Sequence, residues 1–261
     1  KKAKEIRRTA VEMIYKAKSG HIGGSLSSVD ILVTLYYIIL RVDPKRPDWP
    51  DRDRFILSKG HSVEGYYAIL ADLGFIEKEE LDTYCRFNSC LTGHPTVKVP
   101  GVEANTGSLG HGLSIGVGMA LAGKIDKKDY KVYVLMGDGE QAEGSVWEAS
   151  MCASHYKLDN LVGIVDRNKL QIGGSTEYVM SLEDLSAKWK AFGWKVIEVD
   201  GHSIRELIEV FESIPISPNK PTLIVAHTVK GKGVSFIENR AEWHHKIPNN
   251  EEFLEMVKEL S

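Results

Sequence analysis

The sequence predicts an α/β fold, with a mostly parallel sheet covered by helices on both faces. Three observations predict it. Short Val/Ile/Leu-rich runs alternate with helical patterns along the whole chain. Most of the runs are apolar nearly throughout, as strands buried on both faces are. The chain has 261 residues, 43% hydrophobic and 26% charged, enough for a full core, and no linker, repeat or low-complexity tract divides it. One domain over 1–261 is expected.

The elements follow in order. A first helix is expected over 2–18, where Ile6, Ala10, Met13, Ile14 and Ala17 form an apolar stripe. The basic residues around it (Lys1, Lys2, Lys4, Arg7, Arg8) read as a solvated face rather than a nucleic-acid-binding arm. A second helix is expected over 28–40. Its apolar run, 31–40, is about half the roughly 20 residues a membrane span needs, so no membrane is expected. Strand 55–57 and helix 62–73 come next, then helix 109–124, strand 131–136, helix 144–157 and strand 161–165. Helix 183–192, strand 195–199, helix 203–213, strand 222–226 and helix 251–260 complete the chain. The net charge of −3, from 33 basic and 36 acidic residues, argues against nucleic acid as a partner. No secretory signal is visible, and three cysteines without a CxxC point to a reduced, cytoplasmic compartment.

Parallel sheets bind ligands beyond the carboxyl ends of their strands. The five post-strand segments are Ser58-Lys59-Gly60-His61, Gly137-Asp138-Gly139-Glu140, Asp166-Arg167-Asn168-Lys169-Leu170, Asp200-Gly201-His202 and the run from His227 to Gly233. Any one is an ordinary turn; five polar loops at one edge, four of them containing glycine, are not. No GxxxxGK[ST] or GxGxxG is present, so neither a P-loop nor a dinucleotide fold is indicated. A diphosphate held by metal fits instead. Asp138 and Asn168 follow two strands, and on neighbouring strands their oxygens would converge. With the carbonyl near Leu170 they would supply three of the roughly six hard oxygens Mg²⁺ takes. Gly137 and Gly139 would let the backbone approach phosphate, and a helix starting near Glu143 would favour the anion.

Gly137-Asp138-Gly139 followed after 28 intervening residues by Asn168 resembles the thiamine-diphosphate motif. Ser19-Gly20-His21, Leu57 to His61, Thr92-Gly93-His94-Pro95, Thr106 to Gly110, Gly137 to Gly144 and Trp243-His244 narrow the resemblance to the transketolase family, in that family's order. The resemblance implies thiamine diphosphate and Mg²⁺, with Ca²⁺ or Mn²⁺ as substitutes, and transfer of a two-carbon ketol unit from a ketose to an aldose. It implies metal ligation by Asp138, Asn168 and Leu170, and cofactor contacts from His61, Gly107, Ser108, Leu109, Gly137, Asp138, Gly139, Asn168, Ile172, Lys230 and His244. His21 and His244 would move the proton of the donor's C3 hydroxyl, and His94 would hold its C1 hydroxyl. Glu143 would join the activating glutamate of another domain.

The family's pyrimidine-binding and C-terminal domains find no counterpart in the sequence. The chain therefore reads as the N-terminal subunit of a split transketolase. Its expected partners are a second copy of itself by self-association, sugar phosphates, and a separate C-terminal subunit. A piece of a longer chain is the competing reading. The alternative functions are a 2-oxoacid dehydrogenase subunit of the α type and a non-catalytic scaffold. The glycines of helix 109–124 (Gly110, Gly112, Gly116, Gly118, Gly123) imply close packing on another backbone, and the resemblance puts that helix at the dimer contact. His111 is read as a helix-start hydrogen-bonder, and the His244-His245 pair leaves open which ring points inward.

Overall fold

A computed structural model describes residues 1–261. Its elements are α1 (Lys2–Ala17), α2 (Ile22–Thr34), β1 (Arg54–Leu57), α3 (Glu64–Leu73), α4 (His111–Ile125), β2 (Val132–Gly137), α5 (Gly144–His155), β3 (Leu161–Arg167), β4 (Leu170–Gln171), β5 (Gly174–Ser175), α6 (Thr176–Val179), α7 (Leu185–Ala191), β6 (Lys195–Asp200), α8 (Ile204–Glu212), β7 (Thr222–His227) and α9 (Asn250–Glu259). The main sheet is wholly parallel, in the order β1-β2-β3-β7-β6. β4 and β5 form a separate antiparallel hairpin.

Successive strand residues point to opposite faces, and the two cores follow that alternation. Phe55, Leu57, Tyr133, Leu135, Val162, Ile164 and Ile224 pack with α2, α3 and α8. Ile56, Val132, Val134, Met136, Leu161, Val165 and Val225 pack with α4, α5 and α7. A third cluster fastens the chain after β7, through Val234, Ile237 and Trp243, onto Val11, Ile14, Ile22 and Leu26. That cluster sets where the residues around His244 sit.

The five strands of the main sheet were legible to within two residues; α2 starts six residues earlier than expected. All of its residues are buried, so it has no polar face to show a period. Gly23 and Gly24 resemble helix breakers but serve close approach. A Cβ on Gly23 would lie 2.8 Å from the Trp243 carbonyl oxygen, and one on Gly24 2.5 Å from Ser62 Oγ. With a π-helical turn at Leu35–Ile39, the helix reaches 18 residues, long and apolar enough to cross a membrane, but it is 83% buried in this fold.

The expectation for the glycine helix is corrected. Three of its glycines, Gly112, Gly116 and Gly123, are spent on this chain's own elements. A Cβ on Gly112 would meet Ser58, one on Gly116 Val134 of β2, and one on Gly123 the Tyr130 ring. Gly118 alone in that helix faces open space.

Candidate active site

All five strands run parallel, so their carboxyl ends share one edge, and a cavity of about 390 Å³ lies there. The loops after β1, β2, β3 and β7 line it. The loop after β6, an edge strand, does not. β2 and β3 are neighbours with Gly137 opposite Asp166. Asp138 and Asn168 therefore leave adjacent strands within a residue of each other, as the metal reading required.

Asp138 is buried, and its oxygens accept the N–H groups of Gly139 (2.8 Å) and Lys169 (2.5 Å) and a longer bond from Arg167 (3.3 Å). Burial and the nearby Asp166 carboxylate push its pKa up, against those donors. Asn168 Oδ1 accepts from Leu170 N–H at 3.1 Å. Lys169 between them has φ 66°, a left-handed conformation unusual for a side-chain-bearing residue. The Leu170 carbonyl oxygen faces the Lys230 ammonium at 3.3 Å.

The donor set fits a hard cation shared with phosphate. One carboxylate, one amide and one carbonyl suit Mg²⁺. No group of three or more histidine, cysteine or acidic side chains stands ready to hold a metal, so phosphate or water must complete the shell. Gly137 lines the cavity, and a Cβ there would meet nothing closer than 3.8 Å. Lys230 is buried, and burial and Lys59 pull its pKa down to about 8 against Asp138 and Asp166. Lys59 lines the same cavity but is spent in a buried ion pair with Asp166. Burial works to raise the Asp166 pKa; Lys59 and the hydroxyls of Thr228 and Ser27 outweigh it and hold it down.

Five imidazoles gather over the cavity. The His21 ring lies 5.2 Å from His61, 5.5 Å from His244, 4.5 Å from His245 and 6.3 Å from His94. His21, His61 and His244 line the cavity, whereas His245 is exposed, so His244 is the inward ring of the pair. Burial, then His245, His94 and Lys230, lower the His21 pKa to about 4. Burial and Lys230 lower that of His244 to about 3, and burial lowers His61 and His94. These rings are neutral at pH 7. His244 Nδ1 lies 3.0 Å from Lys230 Nζ. An ammonium only donates, so Nδ1 accepts and the proton sits on Nε2. His21 Nδ1 is buried with no partner, an atom a ligand hydroxyl would satisfy. His94 stands behind Gly107, whose Cβ would lie 2.8 Å from the ring.

Of the other expected residues, Leu109, Gly139, Glu143 and Ile172 line the cavity. Ser108 does not; it is exposed and its hydroxyl faces His111 Nδ1 at 3.4 Å. His111 opens α4 outside the cavity. Sequence reasoning missed three buried carboxylates. Glu140 accepts from Ser58 Oγ, Gly110 N–H (2.8 Å) and Gly137 N–H (2.9 Å), tying three loops together. Glu64 accepts from the His21 N–H (2.8 Å), the Tyr84 hydroxyl (2.8 Å) and Ser25. Asp166 was seen only as part of a loop. The available signal was an acidic residue closing or interrupting an apolar run.

Adjacent parallel strands that bring a carboxylate and an amide to one cavity, beside a buried lysine without a counter-ion, define a diphosphate-binding domain. Residues 1–260 match the family described as transketolase, thiamine diphosphate binding domain. An apulose-4-phosphate transketolase subunit of Phocaeicola vulgatus is 56% identical over 255 residues, 98% of this chain and 91% of its own length. The 6-deoxy-6-sulfo-D-fructose transketolase subunit of Clostridium sp. (strain MSTE9) is 42% identical over 99% of this chain and 94% of its own length. Human transketolase is 41% identical over 95% of this chain but only 40% of its own length. The solved transketolase of Campylobacter jejuni superposes with a TM-score of 0.92 at 33% identity, over 99% of this chain and 42% of that one. The chain belongs to the transketolase family, as its thiamine-diphosphate-binding part, and so to the transferases. The 2-oxoacid dehydrogenase alternative is set aside.

Proposed function

We propose that this chain is the diphosphate-binding subunit of a two-chain transketolase. A partner subunit carries the pyrimidine-binding and C-terminal domains, and the two assemble two-plus-two. What carries the reading is the convergence of Asp138, Asn168 and the Leu170 carbonyl beside Lys230, facing the neutral histidines. The relatives named as subunits support the two-chain organisation, since the chain spans 91% and 94% of their lengths. Their names, one a sugar phosphate and one a sulfo-sugar, support an anionic ketose as donor, a class that includes sugars of the pentose phosphate type. The three free cysteines, two of them exposed, suit a reducing, cytoplasmic setting.

Each residue's part follows from its chemistry. Asp138, Asn168 and Leu170 would hold Mg²⁺, and Lys230 would neutralise diphosphate charge. Bound thiamine diphosphate supplies the carbanion chemistry that breaks and forms the carbon–carbon bond. His244 presents Nε2–H as a donor, because Lys230 occupies Nδ1. His21, neutral with an unpartnered Nδ1, is the better acceptor for the C3 hydroxyl proton. Glu143 caps α5 at the mouth, exposed, where a partner carboxyl can reach it.

The test is reconstitution. The chain alone should show no ketol transfer, and mixing with its partner subunit near one to one should restore it. Asp138→Ala should abolish Mg²⁺-dependent thiamine diphosphate binding measured by calorimetry, and Asn168→Ala should weaken it less. Robust ketol transfer by the single chain, or unchanged cofactor affinity in Asp138→Ala, refutes the proposal.

A further inference from the structure

His202 lies in the one post-strand loop that stays out of the cavity, yet its ring is fully engaged. Nδ1 is 2.7 Å from Asp30 Oδ2, and Nε2 accepts the N–H of Val229 at 2.8 Å. A backbone N–H can only donate, so Nε2 is the acceptor and the proton rests on Nδ1, donated to Asp30. Asp30 itself cannot swing away. Arg7 grips both its oxygens, at 2.5 and 3.3 Å, and Arg7 Nε is fixed in turn on the Leu26 carbonyl at 3.1 Å. The Arg7 and Asp30 side chains are 8% and 9% exposed. One imidazole thus links α2 to the segment after β7.

A carboxylate–imidazole pair invites the reading of a general base. The geometry denies it, because the lone pair a base would use is occupied by Val229. What the pair does hold is the residue before Lys230. The neighbouring bonds, Thr228 N–H to the Arg167 carbonyl (3.2 Å) and Gly231 N–H to the Gly23 carbonyl (3.0 Å), fix the segment on either side. The bond to Val229 is the side-chain tie between them.

We propose that His202 is a positioning residue that suspends the Val229–Lys230 backbone from Asp30 and so aims the Lys230 ammonium at the diphosphate site. The proposal rests on the reading of Lys230 given above. A lysine is a point charge on a flexible stem, so its aim depends on its backbone anchor.

The experiment uses the full chain and two readouts. His202→Leu removes both bonds, while His202→Gln restores one acceptor and one donor on a similar spacing. Hydrogen exchange of the Val229 amide should quicken about tenfold in His202→Leu and return toward wild type in His202→Gln, the loss of one hydrogen bond. In the assembled enzyme, thiamine diphosphate affinity with Mg²⁺ should fall by a similar factor in His202→Leu and recover in His202→Gln, with Lys230→Met as the comparison. If His202→Leu does not fold, His202→Asn, which keeps the reach to Asp30 but not to Val229, replaces it. Unchanged amide exchange overturns the bridge. Faster exchange with unchanged affinity, while Lys230→Met binds weakly, overturns its bearing on the cofactor. Unchanged affinity in Lys230→Met overturns the reading of the lysine, and the proposal with it.

Discussion

Replacing Gly116 by leucine tests which side of α4 is committed to the fold. A Cβ on Gly116 would stand 2.5 Å from Val134 Cγ2, 3.5 Å from Leu161 Cδ1 and 3.6 Å from Val132 Cγ1. Carbon atoms pack at about 3.5–4.0 Å, so even an alanine asks α4 to lift from the sheet by about 1 Å. Leucine adds three heavy atoms toward a strand that is buried along its length. Overpacking of this kind costs about 1–3 kcal/mol, and more at a site with no room to yield. Relief of glycine's helix penalty offsets about 1 kcal/mol of that. The net loss is about 2 kcal/mol or more, which for a chain of this size lowers the thermal midpoint by about 4–8 °C. Gly118 is the control. Nothing lies within 4 Å of its Cβ position, so Gly118→Ala should stabilise the helix by up to about 1 kcal/mol. Urea and thermal unfolding of the purified chain read both. A wild-type midpoint for Gly116→Leu, or greater damage from Gly118→Ala, would refute this assignment of the inward face.

Two further outcomes follow from the histidines. His244→Ala should cut turnover of the assembled enzyme by about 10²–10⁴-fold with little loss of cofactor binding, and the exposed His245 should matter far less; steady-state rates with the reverse ranking would move the proton transfer to His245. The pKa values of His21 and His244 lie at about 4 and about 3 in the fold, against about 6.5 unfolded. The unfolded chain therefore takes up protons that the fold refuses, and stability should fall as pH drops from about 6.5 toward 4. Urea midpoints measured across that window should slope less steeply in His21→Asn, and an unaltered slope would count against the buried, neutral ring.

The strands and their order of chemistry were legible because a strand buried on both faces leaves an unbroken apolar run, and its end is marked by the first polar residues. Gly137-Asp138 and Asp166-Arg167-Asn168 announced themselves that way. Adjacency was not legible: that β2 neighbours β3, and that β7 lies between β3 and β6, depends on how the helices pack across the faces. The start of α2 was hidden for the opposite reason, since a helix buried all round has no stripe. The hairpin of β4 and β5 is two residues a side, too short for any period. The glycines of α4 were recognised as marks of close packing, but sequence does not say against what. Spacing alone does not reveal Ser58 and Val134 as the neighbours.

The two cavity lysines show how the site divides its charge. Lys59 donates to a buried carboxylate and to the Gly24 carbonyl, so its ammonium is neutralised within the fold. Lys230 has only neutral acceptors, the Leu170 carbonyl and His244 Nδ1. A buried ammonium without a counter-ion is disfavoured by desolvation, and its pKa falls to about 8. The same unspent charge helps keep His21 and His244 neutral, since a proton on either ring would face it. An anion entering beside Lys230 would satisfy the lysine and remove part of the penalty on charging those rings. Cofactor binding would then move the histidine pKa values upward, toward the range in which a ring can both take and return a proton. On the proposed reading, the site keeps these rings neutral until the cofactor's anion completes the electrostatics.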